Sequence, residues 1–251
     1  MSRSFQRRSR FKHDLRGYNY QTFSLPEFDL LKESYFTVEN IRARAEEMQS
    51  ECRSIRSWEG RPLQIQNSAL LVLDMQDYFC AANSHAYVPS MEAILPGVVR
   101  LVEAFHTQSL PIVFTRHLNT AENAGRMASW WRAMLQPEES LSVIVSELDT
   151  STGLVLEKAQ YDAFHNTRLE EILRAKQVRQ VVIAGVMTHL CCETTARSAF
   201  VRGFDVLFLI DGCATYNLAF HRASLLNLAH GFARLVRVDE VLTALESGHA
   251  K

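Results

Sequence analysis

Two adjacent cysteines, Cys191 and Cys192, lie in the run from Gly185 to Ala196, where an apolar strand pattern gives way to a helical one. The apolar run 181–184 predicts a buried parallel strand, and the apolar spacing over 194–200 predicts a helix. Cys191 is therefore expected at or near a helix N-terminus, where backbone N–H groups stabilise an anion and lower the pKa of a thiol. Such a position suits a nucleophilic thiolate. The alternative is that both cysteines are small buried hydrophobic residues.

Two other predicted strands end in chemically useful side chains. Asp74 follows the apolar run 69–73, and Lys158 closely follows the apolar run 154–156. Open α/β sheets bind ligands at the carboxyl ends of their strands, so Asp74, Lys158 and Cys191 are expected to share one edge. Taken singly, Asp74 is also typical of a capping residue and Lys158 of solvated surface. Three useful groups on three strand ends favour a catalytic site.

The elements that must position these residues alternate along the chain. Apolar runs predict strands near 68–74, 111–116, 154–158, 179–185, 205–210 and 234–237. Helical spacing predicts helices near 91–109, 167–177, 191–202, 218–231 and 238–246. Such alternation predicts an α/β protein: a three-layer αβα Rossmann-like fold with a parallel sheet of about six strands and helices on both faces.

The N-terminal quarter has a different character and suggests a division into residues 1–64 and 65–251. Residues 1–24 are polar and basic, and we expect a flexible or partner-docked arm. Residues 37–57 predict a helix opened by Thr37. Its apolar stripe comprises Val38, Ile41, Ala45 and Met48.

Length and charge exclude several classes of function. The chain has 251 residues, a length that fits one α/β domain preceded by the basic arm. Its formal net charge of −1 gives no electrostatic reason to expect binding to nucleic acid or to anionic membranes. No apolar run reaches about 18 residues, and the basic start lacks the apolar core of a secretory signal, so we expect a cytoplasmic protein. The five cysteines are an odd number without zinc spacing and fit reduced thiols.

The chain resembles the isochorismatase-like cysteine hydrolases, a superfamily that includes nicotinamidases, carbamoyl amidohydrolases and isochorismatases. The resemblance covers about residues 65–246, and the order and spacing of its motifs make it specific. The motifs that carry it are Leu73–Phe79, Lys158 with Tyr161–His165, Gly185–Cys191, Thr195–Phe200, Gly203–Val206 and Asp211–Ala214.

The resemblance implies a catalytic triad of Asp74, Lys158 and Cys191. Asp74 would accept the thiol proton of Cys191, Lys158 would stabilise the resulting charges, and the thiolate would cleave a C–N bond of a small amide, ureido or carbamoyl compound through a thioester. It also implies a cis peptide bond between Val186 and Met187, with the N–H groups of Met187 and Cys191 as the oxyanion hole.

Two departures narrow this expectation. Isochorismatases of the siderophore type carry a small residue where Cys191 stands, so its presence points to covalent hydrolysis. Nicotinamidases carry an Asp-x-His and a further His after their second strand, whereas the corresponding stretch here is Phe114–Asn119. His85, His117 and His189 are more typical of structural histidines. We therefore expect no metal and no cofactor, and we do not expect nicotinamide as the substrate.

The long segment 117–148 resembles the family's pocket-shaping and subunit-interface region. We expect the small-molecule substrate to contact Tyr78, Phe79, His117, Trp131, Tyr161 and Phe164. Trp130 and Trp131 are adjacent, so one can face the pocket while the other packs in the core or an interface. The resemblance implies a homodimer or homotetramer.

Two other functions remain open. An isochorismatase-type vinyl ether hydrolase would use Asp74 and Lys158 without covalent catalysis, and the segment Tyr161–His165 fits it. A catalytically inactive docking domain would need no triad, so the retention of all three groups argues against it.

Overall fold

A six-stranded parallel sheet forms the centre of the molecule. The structure, a computed structural model, describes residues 31–55, 63, 65–131 and 133–247. The strands are β1 (Ser68–Leu73), β2 (Ile112–His117), β3 (Leu154–Lys158), β4 (Gln180–Val186), β5 (Asp205–Ala214) and β6 (Arg234–Val236). Their order is β3-β2-β1-β4-β5-β6, and all neighbours pair in parallel. The predicted fold class is confirmed.

Helices pack on both faces of this sheet. They are α1 (Ile41–Arg53), α2 (Asp77–Cys80), α3 (Met91–Thr107), α4 (Met127–Trp130), α5 (Leu169–Ala175), α6 (Glu193–Val201), α7 (Leu218–Gly231) and α8 (Val238–Ser247). Helix α3 packs against α8, and α6 packs against α7. Because parallel crossovers are right-handed, these two pairs cover opposite faces. No helix in the described part of the chain is long and apolar enough to cross a membrane.

The strand order places the active-site candidates at one edge of the sheet. The chain leaves β1 toward β2 and β3, then returns to β4 on the other side of β1, so the strand order reverses between β1 and β4. Ligands of doubly wound sheets bind outside the carboxyl ends of the strands at such a reversal. Asp74 follows β1, Lys158 ends β3, and the segment after β4 leads to Cys191.

The first helix begins later than its apolar spacing predicts. Helix α1 starts at Ile41, because the side chain of Asn40 accepts a hydrogen bond from the Thr37 N–H at 2.8 Å and the chain forms a turn there. Val38 lies outside the helix and is 68% exposed, so its place in the apolar stripe was wrong. Ala45 and Met48 are buried as expected.

Residues before the first strand pack against the same core as the sheet. Tyr35 and Phe36 are buried, and the Tyr35 hydroxyl accepts a hydrogen bond from the Thr215 N–H at 3.0 Å. The Glu33 carboxylate accepts from the Leu218 N–H at 2.7 Å, at the first residue of α7. The basic arm predicted over residues 1–24 lies outside the described residues.

Candidate active site

Asp74 is fixed in a buried pocket immediately after β1. Its φ is 54°, a backbone conformation that non-glycine residues adopt only when their surroundings hold it. Thr115 of β2 provides such contacts. The Thr115 hydroxyl donates to Asp74 Oδ1 at 2.6 Å and accepts from the Asp74 N–H at 3.1 Å. Both residues are almost completely buried.

Lys158 brings a buried positive charge to this carboxylate. Its Nζ lies 2.7 Å from Asp74 Oδ2, and neither side chain is accessible to solvent. The same ammonium donates to the Gln160 carbonyl oxygen at 2.9 Å and to Cys191 Sγ at 3.3 Å. Burying a single charge is costly, and the attraction of the opposite charge offsets part of that cost. Each of the two side chains therefore stabilises the charged form of the other.

Cys191 completes the cluster from the segment that joins β4 to α6. Residues Thr188–Cys192 form a single π-helical turn, and α6 begins at Glu193, so the predicted placement of Cys191 near the start of a helix is confirmed. The peptide bond between Val186 and Met187 is cis, as the resemblance implied. The oxyanion-hole roles of Met187 and Cys191 stay predictions.

The resting site holds an ionised carboxylate, an ammonium and a neutral thiol. Burial raises the pKa of Asp74, but the charge of Lys158 and a hydrogen bond from Cys191 outweigh it, so the net shift is downward. Burial lowers the pKa of Lys158, and the attraction of Asp74 more than reverses this. Burial, followed by the Asp74 carboxylate, raises the pKa of Cys191 to about 12.

The expectation of a lowered thiol pKa at Cys191 was therefore wrong for the resting site. Cys191 precedes the first residue of α6 and is fully buried beside a carboxylate, and these effects exceed the pull of backbone N–H groups and Lys158. The thiol must lose its proton before its sulfur can act as a nucleophile, and Asp74 is the carboxylate beside it.

His117 joins the cluster at the end of β2. Its Nδ1 lies 3.3 Å from Lys158 Nζ, and its Nε2 lies 3.0 Å from Asn119 Oδ1. The buried Gln76 side chain holds its backbone, accepting from the His117 N–H at 2.7 Å and donating to its carbonyl at 3.3 Å. Burial, then the charge of Lys158, lowers the pKa of His117 to about 4.

Sequence reasoning missed the supporting roles of Thr115, Gln76 and Asn119. Thr115 and His117 are two residues apart on β2, so their side chains lie on the same face of the sheet near its carboxyl edge. This spacing was the sequence signal that could have indicated a role for Thr115. Gln76 and Asn119 lie in connecting segments, where no periodicity indicates the direction of a side chain.

The donor set here does not fit a resident metal ion. Asp74, His117 and Cys191 each offer one ligand atom, and these atoms lie within 4.8 Å of one another. The ammonium of Lys158 contacts all three, at 2.7 Å from Asp74 Oδ2, 3.3 Å from His117 Nδ1 and 3.3 Å from Cys191 Sγ. Lys158 therefore already supplies the positive charge that a metal would bring to these donors.

The predicted substrate-binding residues fall into two groups. Trp131 donates its indole N–H to the Tyr161 hydroxyl at 2.7 Å, and Tyr161 lines a cavity of about 480 Å³ with Gln160 and Trp130. Trp130 is 78% exposed. Gln160 is the link between this cavity and the triad, because it lines the cavity and its backbone carbonyl accepts a hydrogen bond from Lys158.

Tyr78, Phe79 and Phe164 are not among the residues that line this cavity. The Tyr78 hydroxyl lies 3.0 Å from His85 Nε2, and Phe79 is buried in the core. Phe164 stacks on Phe204, with ring centroids 6.0 Å apart, directly before β5 begins. Phe164 also belongs to the hydrophobic core. The contacts of Tyr78, Phe79 and Phe164 with a substrate stay predictions.

Comparison with known proteins gives matches over most of the chain. A family model described as the isochorismatase domain matches residues 68–240. Nicotinamidase 3 of Arabidopsis thaliana is 38% identical over 183 residues, which cover 71% of this chain and 88% of that protein. Enterobactin synthase component B of Escherichia coli (strain K12) is 29% identical over 182 residues, which cover 71% of this chain and 64% of that protein.

The solved structures agree with this match. A cysteine hydrolase from Pseudomonas syringae pv. phaseolicola 1448A has a TM-score of 0.71 and 28% sequence identity, covering 74% of this chain and 95% of that chain.

Proposed function

The chain belongs to the isochorismatase family of hydrolases, and on that premise we propose that it hydrolyses a C–N bond of a small amide, ureido or carbamoyl compound through a thioester on Cys191. The observation that carries the proposal is the buried contact of one ammonium with a carboxylate and a thiol: Lys158 Nζ lies 2.7 Å from Asp74 Oδ2 and 3.3 Å from Cys191 Sγ. A structural ion pair would need no thiol at this distance.

In the acylation step, Asp74 takes the proton of the Cys191 thiol and Lys158 stabilises the thiolate. The sulfur attacks the substrate carbonyl carbon and forms a C–S bond, while the N–H groups of Met187 and Cys191 receive the oxyanion. The C–N bond then breaks, and the proton on Asp74 passes to the leaving nitrogen.

In the deacylation step, a water molecule gives its proton to Asp74 and its oxygen attacks the thioester carbonyl. The C–S bond breaks, and the thiolate of Cys191 recovers the proton from Asp74. The sum of both steps is an amide plus water giving an acid plus an amine or ammonia, with the site returned to its resting charges.

Carboxamides and carbamoyl compounds are the two candidate classes of substrate. Similarity to Nicotinamidase 3 supports nicotinamide, whereas the stretch Phe114–Asn119 lacks the Asp-x-His pair that nicotinamidases carry. The cavity lined by Gln160 offers the indole of Trp130 and the ring of Tyr161 to a planar group.

Ammonia release by the purified full chain tests the proposal. The panel comprises nicotinamide, other small carboxamides, ureido acids and carbamoyl amino acids, each run beside Cys191→Ala. We expect at least one compound to release ammonia with the native chain only, and mass spectrometry to find its acyl group on Cys191. The proposal would be contradicted if Cys191→Ala still released ammonia. It would also be contradicted if no compound of the panel released ammonia and no acyl group were found on Cys191.

A vinyl ether hydrolase is the second candidate, because the family model that matches this chain is the isochorismatase domain. That chemistry needs proton transfer by Asp74 but no thiol attack. Activity on a cyclic enol ether that survives both Cys191→Ala and thiol alkylation would favour it over the amide hydrolase.

We also propose that the enzyme is a cytoplasmic homodimer or homotetramer. All five cysteines are free thiols, which suits a reducing compartment. Light scattering of the purified chain would measure the oligomeric state, and a monomer at working concentration would contradict it.

A further inference from the structure

The imidazole of His117 is held in one tautomer by its neighbours. The Asn119 side chain donates its Nδ2–H to the Ala159 carbonyl at 2.9 Å, so its Oδ1 is the acceptor that faces His117 Nε2. His117 must therefore carry its proton on Nε2. The lone pair of Nδ1 then faces the ammonium of Lys158 at 3.3 Å.

Lys158 has more acceptors than protons to give. An ammonium has three N–H donors. Around Nζ lie Asp74 Oδ2 at 2.7 Å, the Gln160 carbonyl at 2.9 Å, His117 Nδ1 at 3.3 Å and Cys191 Sγ at 3.3 Å. The two shorter contacts take two protons, so His117 and Cys191 share the third.

We infer that His117 is a positioning residue that holds the third N–H of Lys158 while Cys191 is a thiol and releases it to the sulfur when the thiol gives its proton to Asp74. The inference rests on the proposed function, in which Cys191 ionises during turnover. A neutral sulfur is a weak acceptor, so His117 holds the proton first. A thiolate is a strong acceptor, and the N–H then turns to it.

The surroundings of His117 support this role over that of a base. The charged or titratable groups close to its ring are Lys158, Asp74 and Cys191. A second cation beside the Lys158 ammonium would be repelled, so His117 stays neutral and acts as an acceptor.

A matched pair of variants tests the inference without any substrate. His117→Gln keeps a side-chain acceptor, and His117→Met has nearly the same length without a strong one. In His117→Met the third N–H has only the sulfur as partner, so thiolate forms more easily. We expect iodoacetamide to alkylate Cys191 about tenfold faster near neutral pH in His117→Met, with the rate profile displaced to lower pH, and His117→Gln to follow the native profile.

Tandem mass spectrometry assigns the label to Cys191 and not to Cys192, and circular dichroism confirms that each variant folds. An alkylation profile that is the same in folded His117→Met and in the native chain would overturn the inference, as would an equal displacement in both variants. If His117→Met does not fold, Asn119→Leu removes the group that fixes the tautomer, and the same direction of change is expected. An unchanged profile in Asn119→Leu would then overturn it.

This measurement also separates the inference from the proposed function. If alkylation of His117→Met is displaced to lower pH but no compound of the panel releases ammonia, the positioning role is upheld and the amide hydrolase is rejected. A native-like profile together with ammonia release would do the reverse.

Discussion

At the scale of single residues, the two adjacent cysteines have different surroundings. Cys191 contacts Lys158, whereas Cys192 is fully buried in the hydrophobic core. Only Cys191 is positioned to attack a substrate at the carboxyl edge of the sheet.

We therefore predict that Cys191→Ala and Cys191→Ser abolish turnover, while Cys192→Ala retains most of it. Truncating the packed Cys192 side chain should lower the free energy of unfolding by about 1 kcal/mol. Ammonia release and urea denaturation of the three variants measure both effects. Full activity in Cys191→Ala, or loss of turnover confined to a well-folded Cys192→Ala, would reverse the assignment.

The orientation of Asp74 depends on the hydroxyl of Thr115. Thr115→Val has nearly the same shape but removes both hydrogen bonds, leaving the Asp74 N–H and Oδ1 without that partner. We predict a loss of about 1–3 kcal/mol in the free energy of unfolding, because a buried polar group loses its partner, and about a tenfold fall in kcat.

Thr115→Ser is the control, since it keeps the hydroxyl and loses only a methyl group. Its kcat should stay close to that of the native chain. Equal losses of kcat in the valine and serine variants would show that packing, and not the hydrogen bond, supports Asp74.

At the scale of elements, the close approach of β1 and β4 near the site depends on one glycine. Gly185 has a φ of 118°, and a Cβ there would lie 2.1 Å from the Leu73 carbonyl oxygen. The register between β4 and β5 shifts between Ile183 and Gly185, so the chain leaves its regular path at this point. Leu73 directly precedes Asp74, and Met187 follows two residues after Gly185.

We predict that Gly185→Ala prevents folding or lowers the free energy of unfolding by more than about 3 kcal/mol, because it forces β1 and β4 apart at the site. Gly231→Ala is the control, since a Cβ there meets no atom within 4 Å. Thermal unfolding compares the two variants. Similar stability of Gly185→Ala and Gly231→Ala would show that the strands can separate without loss.

Most of the sheet could be predicted from the sequence, because each buried parallel strand is a short continuous apolar run. The predicted strands near 68–74 and 179–185 match Ser68–Leu73 and Gln180–Val186 within one residue. The short helices Asp77–Cys80 and Met127–Trp130 were missed, since four residues carry too little periodicity to detect.

The site was predictable only in part. The triad could be inferred from strand ends and motif order, because parallel strands bring their carboxyl ends to one edge. The protonation state of Cys191 could not be predicted from the sequence, because it depends on the burial of the sulfur and on its distance from Asp74.

At the scale of the whole molecule, three histidines link folding to pH: His221 is buried, and His117 and His189 are half-buried. Burial lowers the pKa of His117 and of His189 to about 4 and that of His221 to about 3, from an ordinary value of 6.5. Between these values the unfolded chain binds protons that the folded chain does not. The histidines therefore stabilise the fold fully above about pH 6.5, and this stabilisation is lost as the pH falls toward 4.

One carboxylate acts in the opposite direction. Burial raises the pKa of Asp211 to about 6 from its ordinary value of 3.8, so the folded chain binds this proton before the unfolded chain does. Its contribution to stability therefore improves as the pH falls through 6. Because three histidines destabilise the fold in mild acid and only Asp211 stabilises it there, the free energy of unfolding is expected to fall.

We predict that the free energy of unfolding falls by several kcal/mol between about pH 7 and pH 4.5, measured by urea denaturation across that range. His221→Asn removes the most deeply buried of the three histidines, whose Nδ1 lies 3.0 Å from the Thr188 hydroxyl. This variant should be less stable at neutral pH but show a shallower decline toward acid, because one fewer group takes up a proton on unfolding. An unfolding free energy that stays level over this range in the native chain, or an equally steep decline in His221→Asn, would show that these histidines do not govern the acid stability of the molecule.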